Sequence, residues 1–192
     1  MPRGPSHEIH TALLRAAGRL FYERGIGTTG VETVAEAAGT GKAALYRHFD
    51  SKVGLIEATL AKRDVDRRRS LAELLEQLPA NPVERLEAAV AWQLNWVGDE
   101  RFRGCGFVRA AAELEAGGQA AANRAYAHKT WYRNELGRLA VEAGAADPAR
   151  LAVSLALVLE GATTLAFLGD RDLMIERARQ LTQRLISQAC QP

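Results

Sequence analysis

The sequence predicts an all-α protein of about nine helices, arranged as a small N-terminal helical domain followed by a larger helical one. Three observations point there. No run of alternating Val, Ile and Thr bounded by turns occurs, so strands have no signal. Apolar residues recur at three- and four-residue steps in segment after segment. Glycines, prolines and capping residues stand at the ends of those segments.

The first helix fits His7 to Glu23, with Ser6 as cap and Ile9, Leu13, Ala16, Leu20 and Phe21 on one face. Gly25 and Gly27 end it. A short second helix fits Val31 to Ala38, where Thr29 and Glu32 have the spacing of a capping box and Gly39 supplies the left-handed stop. A third runs from Lys42 to Phe49. Asp50 or Ser51 then caps a longer fourth, through Leu55, Ile56 and Leu60 into the charged run KRDVDRRR. The segment Pro79 to Pro82 is the clearest break. After it come Val83 to Val97, Phe107 to Glu115 and Gln119 to Ala143, the last two parted by Gly117-Gly118. Pro148 opens an apolar helix over Ala149 to Leu168, and Asp170 or Asp172 caps a final one reaching Cys190.

Composition narrows the function classes. At 192 residues with 47% apolar content, the chain can bury a sizeable core. Its net charge is only +2, so a polyanionic partner must be met by local clustering of cations. Two cysteines, Cys105 and Cys190, are too few for a disulfide framework, and no signal-peptide pattern is present. The stretch Leu151 to Gly169 is apolar enough to suggest a membrane span, but Glu160 interrupts it and Gly, Ser and Thr dilute it. The expectation is a cytoplasmic protein with no membrane partner.

The stretch Gly39-Thr40-Gly41-Lys42 resembles a phosphate loop only superficially. A phosphate loop needs G-x-x-x-x-G-K-[ST] between a strand and a helix. Here the first glycine position holds Glu36, the hydroxyl position holds Ala43, and VETVAEAAG has helical periodicity. Helix-turn-helix geometry fits better: two short helices cross steeply over a glycine turn, and the second enters the major groove. Val31, Val34, Ala35 and Ala38 form the inner face of the supporting helix, and Leu45 and Phe49 that of the recognition helix. Lys42 sits in the first turn of its helix, where a cation opposes the dipole unless an anion lies nearby. Tyr46, Arg47 and His48 add donors, Lys52 adds a cation for the DNA backbone, and Ala43 and Ala44 offer methyl contacts.

At these residues a family becomes recognisable. TTGVETVAEAAGTGKAALYRHFDSKVGL resembles the DNA-binding signature of TetR-type transcriptional regulators over about thirty residues, and ALLRAAGRLFYERGIGTT is similar to that family's first helix. The resemblance implies a helix-turn-helix domain over residues 7–67, with the motif itself at about 30–49, and an effector-binding and dimerisation domain over 68–192. By it Thr29, Thr40, Lys42, Ala44, Tyr46, His48 and Lys52 correspond to positions that touch DNA. Gly30 and Gly41 stand where the family commonly has Ser or Thr, so hydroxyls at two helix starts are missing, at a cost of a few tenths of a kcal/mol each.

Dimerisation is expected because one recognition helix reads only a few base pairs. The Ala149 to Leu168 helix is apolar nearly all round, which demands burial on two sides. With the last helix it offers Leu155, Leu159, Thr163, Phe167, Leu181 and Leu185 to a partner copy, as the resemblance implies. The stretch RFRGCGFVRAAAELEAGG resembles the opening of an effector-cavity helix in a subset of these regulators. Candidate effector contacts are Trp92, Trp96, Cys105, Phe107, Arg109, Glu113, Tyr126 and Trp131. The four histidines have no ligand spacing with acids or cysteines, and no nucleophile context appears, so neither a metal, a cofactor nor an enzyme activity is expected. The expected function is a ligand-responsive regulator, most simply a repressor that leaves double-stranded operator DNA when a small-molecule effector binds; the rival is a helical small-ligand or nucleotide-binding protein that does not bind DNA.

Overall fold

The computed structural model describes residues 5–114 and 118–190. Among these the regular structure is helical throughout: α1 (Pro5–Arg24), α2 (Val31–Ala37), α3 (Lys42–His48), α4 (Lys52–Glu76), α5 (Pro82–Gly98), α6 (Gly106–Glu113), α7 (Gly118–Glu142), α8 (Pro148–Leu168) and α9 (Arg171–Ala189). The fold class is the one the sequence predicts.

The chain forms two compact units. One comprises the chain through Arg67 together with Gly106–Tyr126; the other comprises Arg68–Cys105 and the chain from Ala127 onward. A division by sequence at residue 67 places α6 with the later helices, whereas its closest packing is with the earlier ones.

In the first unit α1 meets both α2 and α3. Leu13, Ala17, Leu20, Val34, Ala35, Leu45, Leu55 and Ile56 have almost no exposed surface. A buried leucine contributes about 2 kcal/mol of transfer free energy, so this small set anchors the unit. Ala35 must be small where α2 and α3 meet, because helices cross at close range only over short side chains. Helix α2 stops through a Schellman motif: Gly39 takes φ +71, its N–H donates to the Glu36 carbonyl at 2.9 Å, and the Thr40 N–H donates to the Ala35 carbonyl at 2.9 Å. The same closure ends α7, with Gly144 at φ +72 and the Ala145 N–H on the Ala140 carbonyl.

The second unit has a leucine-rich core: Leu71, Leu75, Leu86, Leu94, Leu136, Leu139, Leu151, Leu155 and Leu159 pack together. Asn81 and Asp147 cap α5 and α8, each followed by proline at the first helical position. Helix α8 is long and apolar enough to cross a bilayer, but its inner face packs on α5 and α9. Glu160, which interrupts that apolar run, pairs with Lys129 at 2.6 Å.

Some boundary details differ from expectation. Ser6 lies inside α1 and cannot be its cap. The box between Thr29 and Glu32 does not form; the cap of α2 is Gly30, without a side-chain bond. Ser51, not Asp50, caps α4, accepting from the Gly54 N–H at 3.0 Å. Gly118 is the first residue of α7, while Glu115 and Gly117 fall outside the described residues.

Candidate nucleic-acid interface

The glycine turn after α2 leads directly into α3, a helix of only two turns. Its inner side is fixed by Ala44 and Leu45, and the Phe49 that follows is 6% exposed. The opposite side of α3 is thereby turned outward. Lys42, Ala43, Tyr46 and Arg47 are exposed, as are Gly30 and Gly41, the caps of the two motif helices. Thr40 and His48 are half-buried beside them.

Three expected contact residues sit differently. Thr29 is 1% exposed and its hydroxyl donates to the Gly25 carbonyl at 2.7 Å, so it braces the loop before α2 rather than facing solvent. Ala44 is 7% exposed and lies with Leu45 on the inner side of α3. Lys52 is half-buried and its Nζ donates to the Ile26 carbonyl at 2.7 Å.

Two electrostatic features of the motif carry no sequence signal. Lys42 Nζ donates to Glu32 Oε1 at 2.5 Å, a pair formed across the turn. That contact holds the Glu32 carboxyl below its ordinary range and raises the Lys42 ammonium above its own. His48 lies edge-on to His10 of α1, with ring centroids 5.7 Å apart, and His10 stacks on Phe49 at 4.8 Å. Partial burial, then the neighbouring His48 and His7, lower the pKa of His10. Neither pair shows helical spacing in sequence, so only the crossing of the helices reveals it.

Behind the motif, both backbone polar groups of Ile26 are held by side chains. Its N–H donates to Glu113 Oε2 at 2.7 Å while its carbonyl receives Lys52. Glu113 also accepts from the Gly27 N–H at 3.2 Å, and Arg109 donates to the Tyr22 carbonyl at 3.0 Å. Of the two residues expected at an effector, Glu113 thus ties α6 to the loop that starts the motif, and Arg109 ties it to the last turn of α1. Arg63 of α4 lies over the Tyr22 ring at 4.1 Å, and a side chain at Gly106 would collide with its guanidinium.

The remaining candidates separate. In the second unit Trp92, Trp131 and Tyr132 cluster with ring centroids 5.7 to 6.0 Å apart, and Arg68 lies 4.7 Å over Trp131. Trp96 packs edge-on to Phe102 at 5.0 Å. Phe107 and Cys105 are buried, and Cys105 is a free thiol. Tyr126 is 71% exposed and belongs to neither aromatic group. Of the expected dimer residues, Leu155, Leu159 and Thr163 lie at four-residue steps on the inward face of α8 and are at most 2% exposed, so they are core. Phe167 and Leu181 are about half exposed, and Leu185 is half-buried. The outward apolar residues of α8 and α9 also include Val153, Leu157, Leu165, Leu168 and Leu173.

A compact all-helical unit with a glycine-turned helix pair and a short, outward, cation-bearing second helix defines a helix-turn-helix protein. Comparison with known proteins sharpens the class. The profile of the family described as "Bacterial regulatory proteins, tetR family" matches residues 13–59. The chain is 30% identical to the regulator sav143 from Streptomyces avermitilis, covering 94% of this chain and 97% of that one with a TM-score of 0.77. SCO4454, a TetR-family transcriptional regulator from Streptomyces coelicolor, superposes with a TM-score of 0.88 at 25% identity, covering 96% of this chain and 97% of that one. The HTH-type transcriptional activator FasR from Mycolicibacterium smegmatis is 38% identical over 88 residues, which are 46% of this chain and 40% of FasR. The chain belongs to the TetR family of bacterial transcriptional regulators, and these are not enzymes. Its alignment to FasR spans less than half of that curated relative's length.

Proposed function

We propose that this chain is a cytoplasmic homodimeric repressor that binds partly palindromic double-stranded operator DNA through α3 and leaves it when a small-molecule effector binds. The observation that carries the reading is the outward face of α3. Lys42, Ala43, Tyr46 and Arg47 are exposed on a helix pinned from behind by Leu45, so donors and methyl groups point away from the body. The half-buried Thr40, His48 and Lys52 border that face, with Lys52 donating to the Ile26 carbonyl.

DNA binding falls to the first unit and effector binding and dimerisation to the second. The exposed apolar residues of α8 and α9, with Leu157 at 70% and Leu168 at 75%, support a two-fold contact with another copy of the chain. Such a dimer presents two recognition helices, as a palindromic operator requires. Trp92 and Trp131 are the proposed effector contacts. An effector that lowers operator occupancy a hundredfold must favour the released state by roughly 3 kcal/mol.

The rival reading, a small-ligand or nucleotide-binding protein that does not touch DNA, has no observation in its favour. The glycine of its would-be phosphate loop closes a helix instead. Titration of a duplex from the region upstream of the protein's own gene, at several salt concentrations, tests the proposal. The expected result is sequence-selective binding that weakens linearly in log–log form with salt. Binding without salt dependence or sequence preference rejects it.

A further inference from the structure

Lys42 and Glu32 sit ten residues apart, in the first turns of the two helices of the motif, and their side chains meet at 2.5 Å. Both side chains are more than half exposed, at 54% and 56%, so the ion pair lies on the outer face of the motif rather than in its packing. The carboxylate is further steadied by the backbone N–H of Glu32 itself, and its second oxygen arches back to 3.6 Å from where a Gly30 side chain would begin. The ammonium proposed for a DNA phosphate therefore already holds an anionic oxygen when DNA is absent. A phosphate brought to that ammonium competes with the carboxylate for its N–H donors and meets a like charge beside it.

We propose that Glu32 is an autoinhibitory residue of the DNA-binding face: its carboxylate stands in for a phosphate oxygen on Lys42, and a duplex gains that contact in full only by displacing it. This rests on the DNA-binding reading above. The phosphate backbone is common to every duplex, so having to break the pair lowers affinity for operator and unrelated DNA alike, while the choice between them stays with the base contacts of α3.

The test uses the full chain as wild type, Glu32→Gln, Lys42→Ala and the double variant. Each is titrated by fluorescence anisotropy against the duplex from upstream of its own gene and against a scrambled duplex of equal length and composition. Glu32→Gln should tighten binding to both duplexes about threefold to fivefold. In the Lys42→Ala background the same substitution should tighten binding clearly less, because the effect runs through the lysine. No tightening by Glu32→Gln overturns the proposal. So does an equal tightening in both backgrounds, which would be a general charge effect. If wild type binds neither duplex, the DNA-binding reading itself falls, and this one with it; if it binds but Glu32→Gln does not tighten it, only this inference falls.

Discussion

The carboxylate of Glu113 accepts a 2.7 Å hydrogen bond from the backbone N–H of Ile26, 87 positions earlier in the chain. The carbonyl of the same residue receives the ammonium of Lys52 at 2.7 Å. Ile26 is 7% exposed, so its N–H has little access to water as an alternative partner. Helix α6 thereby fixes the loop from which α2 departs. Glu113→Ala should cost about 1–3 kcal/mol of stability in this unit, the desolvation penalty of an unmet donor. Hydrogen exchange at the Ile26 and Gly27 amides reads it directly: their protection should fall, while amides of α8 keep theirs.

Lys42→Ala should weaken binding to every DNA sequence alike and lower the slope of log affinity against log salt by about one, as expected for one lost phosphate contact. Salt titrations of two unrelated duplexes check this. A loss confined to one sequence would instead make Lys42 a base reader.

Thr29→Val removes a buried hydroxyl that donates to the Gly25 carbonyl and keeps the shape of the side chain. The expected cost is about 1 kcal/mol, seen as a lower melting temperature. Operator affinity measured well below that temperature should hardly change, which distinguishes a brace from a DNA contact.

Leu157→Glu and Leu155→Ala separate interface from core. The first places a charge on a residue 70% exposed and should shift the sedimentation of the protein from dimer to monomer without unfolding it. The second hollows a fully buried site and should cost about 2–5 kcal/mol in thermal or denaturant unfolding.

His10 gives the first unit a pH dependence of known sign. Its imidazole is lowered below 6.5 by partial burial and by His48 and His7, so the unfolded chain takes up the proton more readily than the folded one. Stability is complete above pH 6.5 and declines as pH falls from there toward the lowered folded value. Melting temperatures at pH 7.5 and 5.5 should differ, and His10→Gln should shrink the difference.

The helices and the motif were legible because both are local. Periodic apolar positions mark each helix, and a glycine followed by a short helix with Leu45 and Phe49 at four-residue spacing marks the turn. What the sequence hides is set by helices crossing. Thr29 looks like a free cap but faces inward. Arg109 and Glu113 read as polar residues four apart on one helix, and nothing local shows that one reaches the last turn of α1 and the other the loop before α2. Leu155 and Leu159 are indistinguishable by residue type from Leu157, and only the side from which α5 and α9 approach decides which become core.

One consequence follows from the way α6 returns to the first unit. Phe21, Ile26, Ile56 and Leu60 line a recess that is closed by Gly106, Arg109 and Ala110. A gene fragment ending at residue 67 would encode the whole reading head yet leave that recess open to water and the Ile26 amide unanswered. Excised in that way, the head should be a poor folder; a graft that keeps α6 as a separate peptide, or splices it on through a short connector, should restore it.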